Sequence, residues 1–145
     1  YDDMFNGCSS LTTAPELPAT TLAWGCYSRM FGDCYSLITS PELPATTLTP
    51  SCYYYMFENC RSLTSAPELP ATTLVSQCYQ SMFKGCNKLN HIKCLATDIS
   101  SNTFIYNWVS EVSSTGTFIK HPDMNNWTTG IRGIPGGWTV EDAVL

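Results

Sequence analysis

Eight cysteines in 145 residues are the first groups in this chain that could do chemistry. They stand at Cys8, Cys26, Cys34, Cys52, Cys60, Cys78, Cys86 and Cys94, with gaps of 18 and eight residues in turn and a final gap of eight. A structural zinc site or a redox dithiol calls for closely spaced Cys-x-x-Cys pairs, and the chain has none. Two readings stay open. Cys26 could bridge Cys34, Cys52 bridge Cys60 and Cys78 bridge Cys86, as an extracellular location would permit. Alternatively, both cysteine columns are free thiols that pack as small hydrophobes. A cysteine nucleophile needs a histidine beside a low-pKa thiolate. His91 and His121 are the only histidines, and no pattern ties either to a cysteine. The chain has no Gly-x-Ser-x-Gly, phosphate loop or His-Glu-x-x-His. The expectation is a protein with no catalytic residue, no cofactor and no metal, and therefore not an enzyme.

The cysteines belong to a repeat. Met-Phe recurs at Met4-Phe5, Met30-Phe31, Met56-Phe57 and Met82-Phe83, in steps of 26 residues. Leu11, Leu37, Leu63 and Leu89 keep the step, as do Tyr1, Tyr27, Tyr53 and Tyr79. Pro-Glu-Leu-Pro-Ala-Thr-Thr-Leu begins at Pro15, Pro41 and Pro67. A fixed period of this length marks a solenoid, in which no unit buries its apolar face alone. The period fades after Leu89. Residues 1–95 are therefore read as about three and a half coils and residues 96–145 as a C-terminal capping region. Because Tyr1 falls inside a unit, the chain is read as a monomeric fragment of a longer repeat protein.

Each coil must position these columns. Ser36-Leu37-Ile38-Thr39-Ser40 reads as a short parallel strand ended by Pro41, which lacks an N–H for the ladder. Thr46 or Thr47 can cap a helix, on which Leu48, Cys52 and Met56 would share one face at i, i+4, i+8. The expectation is an α/β solenoid with one short parallel strand and one short helix per coil. Its core columns are Cys8, Cys34, Cys60 and Cys86; Cys26, Cys52 and Cys78; and Met30, Phe31, Met56 and Phe57. In the cap, Ser100 or Ser101 would start a helix carrying Phe104, Ile105, Trp108, Val109 and Val112. Thr117-Phe118-Ile119 and Trp138-Thr139-Val140 read as strands.

Candidate binding residues are those the repeat does not fix. Trp24, Tyr35, Tyr54 and Tyr55 change from coil to coil, and an exposed Trp or Tyr offers a flat apolar face with a polar edge. Thr13, Thr39, Ser65 and His91 share one strand position and would line a face in a row. Glu16, Glu42 and Glu68 form a column of like charge, read as a solvated edge without metal. Net charge is -5, and the seven Lys and Arg residues are scattered, which argues against nucleic acid as a partner. No apolar run has the roughly 20 residues of a membrane-spanning helix. Low charge with abundant Thr, Ser and Tyr suits an extracellular protein.

The unit Phe31-Gly-Asp-Cys34-Tyr-Ser-Leu37 resembles the BspA-like leucine-rich repeats of bacterial surface proteins, over residues 1 to about 95. The 26-residue unit with Ala-Pro-Glu-Leu-Pro-Ala-Thr-Thr-Leu is similar to a variant from gut bacterial surface proteins and their phages. The segment from Gly116 to Ala143 resembles the element that often follows that variant. The resemblance implies a leucine-rich-repeat-type solenoid at a cell surface, adhering to a host protein or glycan. It equally implies a phage tail-fibre or receptor-binding segment. A structural spacer carrying another domain is the third expectation.

Overall fold

The computed structural model describes all residues from Tyr1 to Leu145. Successive coils lie on one another in parallel register. Thr13 pairs with Thr39 and Ser65 with His91. Beyond them the pairing continues through three strands, β1 (His91–Cys94), β2 (Thr117–Lys120) and β3 (Thr139–Asp142), in one parallel sheet ordered β1-β2-β3. The period therefore outlasts its sequence signal, since Thr117 stands 26 residues after His91.

The expected α/β solenoid with a helix in each coil is overturned: the only regular elements are these three short parallel strands. The reason lies in where the backbone N–H groups point. In the third coil Cys52, Tyr54, Met56, Glu58 and Cys60 donate three residues back, each closing a tight turn. The residues between them, Ser51, Tyr53, Tyr55, Phe57 and Asn59, donate across to carbonyls of Ser76, Cys78, Gln80, Met82 and Lys84 in the next coil. A helix would consume every N–H internally. This ribbon spends half of them on turns and half on the neighbouring coil, so each donor is satisfied.

The turns are set by left-handed residues at every fourth position. Ser51, Tyr55 and Asn59 have φ of 59°, 55° and 59°. Each is the third residue of its turn, where a positive φ defines type II, and Pro50 occupies the favoured second position of the first. Two turns span four residues, so Leu48, Cys52, Met56 and Cys60 all face inward and are buried. That period of four imitates a helical face over a short window. The same ribbon replaces the expected helix in the tail: Tyr79, Ser81, Phe83 and Gly85 donate to Phe104, Tyr106, Trp108 and Ser110.

Prolines limit the strands. Pro15, Pro41 and Pro67 sit in the column that holds Lys93 in the fourth coil. The proline-bearing coils make only isolated bridges, and the first four-residue strand forms where Lys93 replaces proline.

Identical coils place identical rings in contact. Phe5, Phe31, Phe57 and Phe83 stack with centroids 5.6, 5.6 and 5.8 Å apart. Tyr27, Tyr53 and Tyr79 stack at 6.2 and 6.0 Å. Each offset pair contributes about 0.5–1.5 kcal/mol beyond its area burial. Trp108 then takes the methionine column, stacking on Tyr79 at 6.1 Å and on Trp127 at 5.8 Å. Its indole N–H donates to the Gly133 carbonyl at 2.8 Å, and that of Trp138 to Ser113 at 2.8 Å. One apolar core runs from Leu22 to Trp138.

Candidate functional site

The outer face of the turn ribbon brings two of the sequence candidates together. The Tyr54 and Tyr55 rings meet edge to face at 4.5 Å, and the Arg29 guanidinium of the preceding coil lies 5.7 and 4.9 Å from their centres. The ribbon geometry causes this. Arg29 and Tyr55 occupy one column of the ribbon, with φ of 54° and 55°, one coil apart, where Arg29 is exposed and Tyr55 half-buried.

Beside them opens a polar cleft of about 170 Å³ lined by Asn6, Arg29, Gly32, Asp33, Tyr55 and Glu58. Asn59 donates from its side-chain amide to Asp33 at 2.9 Å, and Asn6 to the Arg29 carbonyl at 3.4 Å. Burial holds the Glu58 carboxyl above its ordinary range, against the pull of Lys84; Asp33 adds to the rise and Arg29 opposes it. Neither Arg29 nor Glu58 makes an ion pair within 4.0 Å. Charged groups thus face one small space with hydrogen-bonding capacity to spare, next to a tyrosine wall. Sequence reasoning named Tyr54 and Tyr55 but missed Arg29, Asp33 and Glu58. Their signal was available, since Arg29, Tyr55 and Ser81 differ within one column while the flanking Met-Phe stays fixed.

The other aromatic candidates are elsewhere. Tyr35 is exposed and lies under Arg61, with 4.8 Å from guanidinium to ring centre. Trp24 is the most exposed of the group, at 74%, and stacks on no other ring. Thr13, Thr39 and Ser65 are exposed at one pairing position, and His91 is half-buried at the start of β1. Thr117 and Thr139 extend that row through β2 and β3.

The cysteines resolve as free thiols. Cys34, Cys52, Cys60, Cys78, Cys86 and Cys94 are buried. Two of the expected core positions differ: Cys8, in the first coil, is exposed, and Cys26 is half-buried. Cys34, Cys60 and Cys86 donate their thiols to the carbonyls of Phe5, Phe31 and Phe57 at 3.1, 3.2 and 3.0 Å. Burial pushes Cys34, Cys52, Cys78 and Cys94 up to about 12. Cys60 rises too, first because it shares a hydrogen bond with Cys86 and then by burial. A nucleophile must be a thiolate at working pH, and these groups are locked in the neutral form.

The glutamates Glu16, Glu42 and Glu68 stand in solvent, and Glu68 accepts an ion pair from Lys93 at 3.2 Å. Comparison of the chain with protein-family descriptions, with characterised proteins and with solved structures finds no match.

Proposed function

We propose that this protein is a non-catalytic binding module displayed outside the cell, and that its stacked coils hold a recognition surface for a host glycan or protein. The observation that carries this reading is the cleft in which Arg29, Asp33 and Glu58 face a tyrosine wall on an otherwise repetitive scaffold. Side chains that vary on a fixed frame are free of packing duty, and rigid aromatic groups lose little entropy when they bind. One guanidinium and two carboxyls line the cleft together with an amide and a phenol, a mix of donors and acceptors that suits a polyhydroxylated group better than an anion. The neutral, hydrogen-bonded thiols support the non-catalytic half of the proposal.

The test is an array of host glycans, mucin and matrix proteins probed with the protein displayed multivalently, because a single small site binds weakly. A Tyr54→Ala/Tyr55→Ala protein and a Trp24→Ala protein run beside it. The expected result is a hit lost in the double variant and kept by Trp24→Ala. A hit kept by both variants moves recognition to the Thr13–Thr39–Ser65–His91 row. No hit from any immobilised host ligand would overturn the reading and leave a structural spacer.

A further inference from the structure

A second cleft, apart from the one beside Tyr55, opens between the ribbon that carries Phe104 and Trp108 and the segment from Asn126 to Arg132. It measures about 330 Å³, and its polar lining is Ser100, Ser101, Asn102, Asn126, Thr128 and Arg132. Ile99 and Ile105 supply its only apolar wall. The volume is at the low end of the roughly 300–1,000 Å³ of small-molecule sites, room for one ring-sized group.

The cleft is preformed. Gly130 donates to the Ile134 carbonyl at 2.8 Å, Ile134 to Thr128 at 2.9 Å and Gly133 to Gly130 at 3.1 Å, which closes a tight loop. A Cβ at Gly133 would strike the Thr128 carbonyl, so glycine lets the loop close. The Trp108 indole N–H pins Gly133 to the core at 2.8 Å. Trp127 stacks on Trp108 and sits between two lining residues, Asn126 and Thr128.

The charge in this cleft is of one sign. The Arg132 guanidinium lies over the Tyr106 ring, 4.3 Å from its centre, and makes no ion pair. A guanidinium held on a ring keeps the N–H fork of its own plane for a second partner. The side chains of Asn102 and Asn126 are likewise without a hydrogen-bond partner. No carboxylate lines the cleft. Asp98, beside Ile99 in the chain, is committed to its own turn and accepts the Ser100 N–H at 2.8 Å. The Tyr55 cleft is different, since Asp33 and Glu58 accompany Arg29 there. An occupant of the second cleft must bring an anionic group for Arg132 and several hydroxyls for the amides and serines. A mainly apolar ligand would leave those amides unpaired, and a bare inorganic anion would leave them unreached. A sugar ring with one acidic substituent meets every need. Its carboxylate or sulfate takes the paired N–H bonds of the fork, and its C–H face lies on the isoleucines.

We propose that this cleft binds a single acidic sugar unit, with Arg132 holding its carboxylate or sulfate. The proposal stands apart from the Tyr54–Tyr55 surface and does not rest on it.

The experiment is a titration of the isotope-labelled full chain followed by two-dimensional amide NMR. The probes are methyl glucuronide, a sulfated glucose, methyl glucoside and N-acetylaspartate. The expected result is a saturable shift of the Ser101, Asn102 and Asn126 amides with an acidic sugar and none with methyl glucoside. The tighter of the two acidic sugars identifies the source of the negative charge. Arg132→Gln should weaken binding by about tenfold or more, the worth of hydrogen bonds to a charged group. Asn126→Asp, which puts a carboxylate into the lining, should also lose it, while Tyr54→Ala/Tyr55→Ala keeps it. Unchanged spectra elsewhere in each variant show that the fold is intact. Equal binding of methyl glucoside, or full affinity in Arg132→Gln, would overturn the proposal. So would N-acetylaspartate binding as tightly as the sugars, which makes the site a peptide-carboxylate pocket, or no saturable shift with either acidic sugar.

Discussion

A thiol is a hydrophobe, a ligand or a nucleophile according to what surrounds it, and here the surroundings differ sharply along one column. Cys34, Cys60 and Cys86 point at carbonyls inside the stack, while Cys8, in the same column, faces solvent. Native protein should therefore show one fast thiol toward a disulfide reagent, Cys8, with Cys26 reacting slowly. All eight should react after unfolding without reductant, because all are free. Fewer than eight in the unfolded protein would disprove the free-thiol structure. Glu58 gives the second prediction at this scale. Its folded pKa is raised, so folding takes up a proton; the stability it contributes is complete below its unfolded value and is lost as pH rises. Glu58→Gln should therefore melt slightly higher than the parent at neutral pH, with the gap closing near its ordinary carboxylate range. A lower melting temperature at neutral pH would show instead that Glu58 is a net stabilising partner of Arg29 and Lys84.

The turn ribbon is the element that decides this fold, and its left-handed positions can be tested directly. Gly7, Asp33, Asn59 and Gly85 form one column with φ of 76°, 58°, 59° and 79°. A methyl group at Gly85 would meet the left-handed penalty, about 1–2 kcal/mol, and would also collide with the Asn59 side-chain oxygen. Gly85→Ala should thus destabilise by more than the backbone penalty alone. Adding Asn59→Gly should recover part of the loss, since it removes the collision and suits its own positive φ. Additive effects in the denaturation cycle would sink the packing argument. This column also shows what was legible. The 26-residue period, the buried Met-Phe and leucine columns and the strand limit set by proline follow from residue identity alone. The helix was misread because Leu48, Cys52 and Met56 fit a helical face and a period-four ribbon equally well over so short a window. The discriminating signal was the run of Gly, Asp, Asn and Gly at one position, the residues that tolerate left-handed backbone. At the site, Tyr54 and Tyr55 were readable as variable aromatics. Their meeting with Arg29, Asp33 and Glu58 was not, because that depends on which ribbon residues turn outward.

Across the whole molecule the stack behaves as one core, so titrations at separate coils act on one equilibrium. Cys52, Cys78 and Cys94 are each raised from 9.0 to about 12 by burial, belong to the third and fourth coils and lie in a single hydrophobic cluster. The folded state keeps these thiols neutral, while the unfolded chain ionises them from its ordinary range upward. The stability they contribute is therefore whole below that range and is lost as pH climbs. At about pH 10 the loss is roughly 1.4 kcal/mol per thiol, about 4 kcal/mol for the three. A domain holds only about 5–15 kcal/mol in total. Urea midpoints should thus be flat from neutral to mildly alkaline conditions and then fall steeply, with coil signals lost together. Cys52→Ala isolates one contribution: it lowers stability at neutral pH by opening a small cavity, yet the fall on the alkaline side becomes shallower by one thiol's share. A variant with a lower midpoint but the parent's alkaline slope would mean that Cys52 does not hold its proton in the fold. The steep loss would then have to come from Tyr53 and Tyr79, whose hydroxyls burial also drives upward.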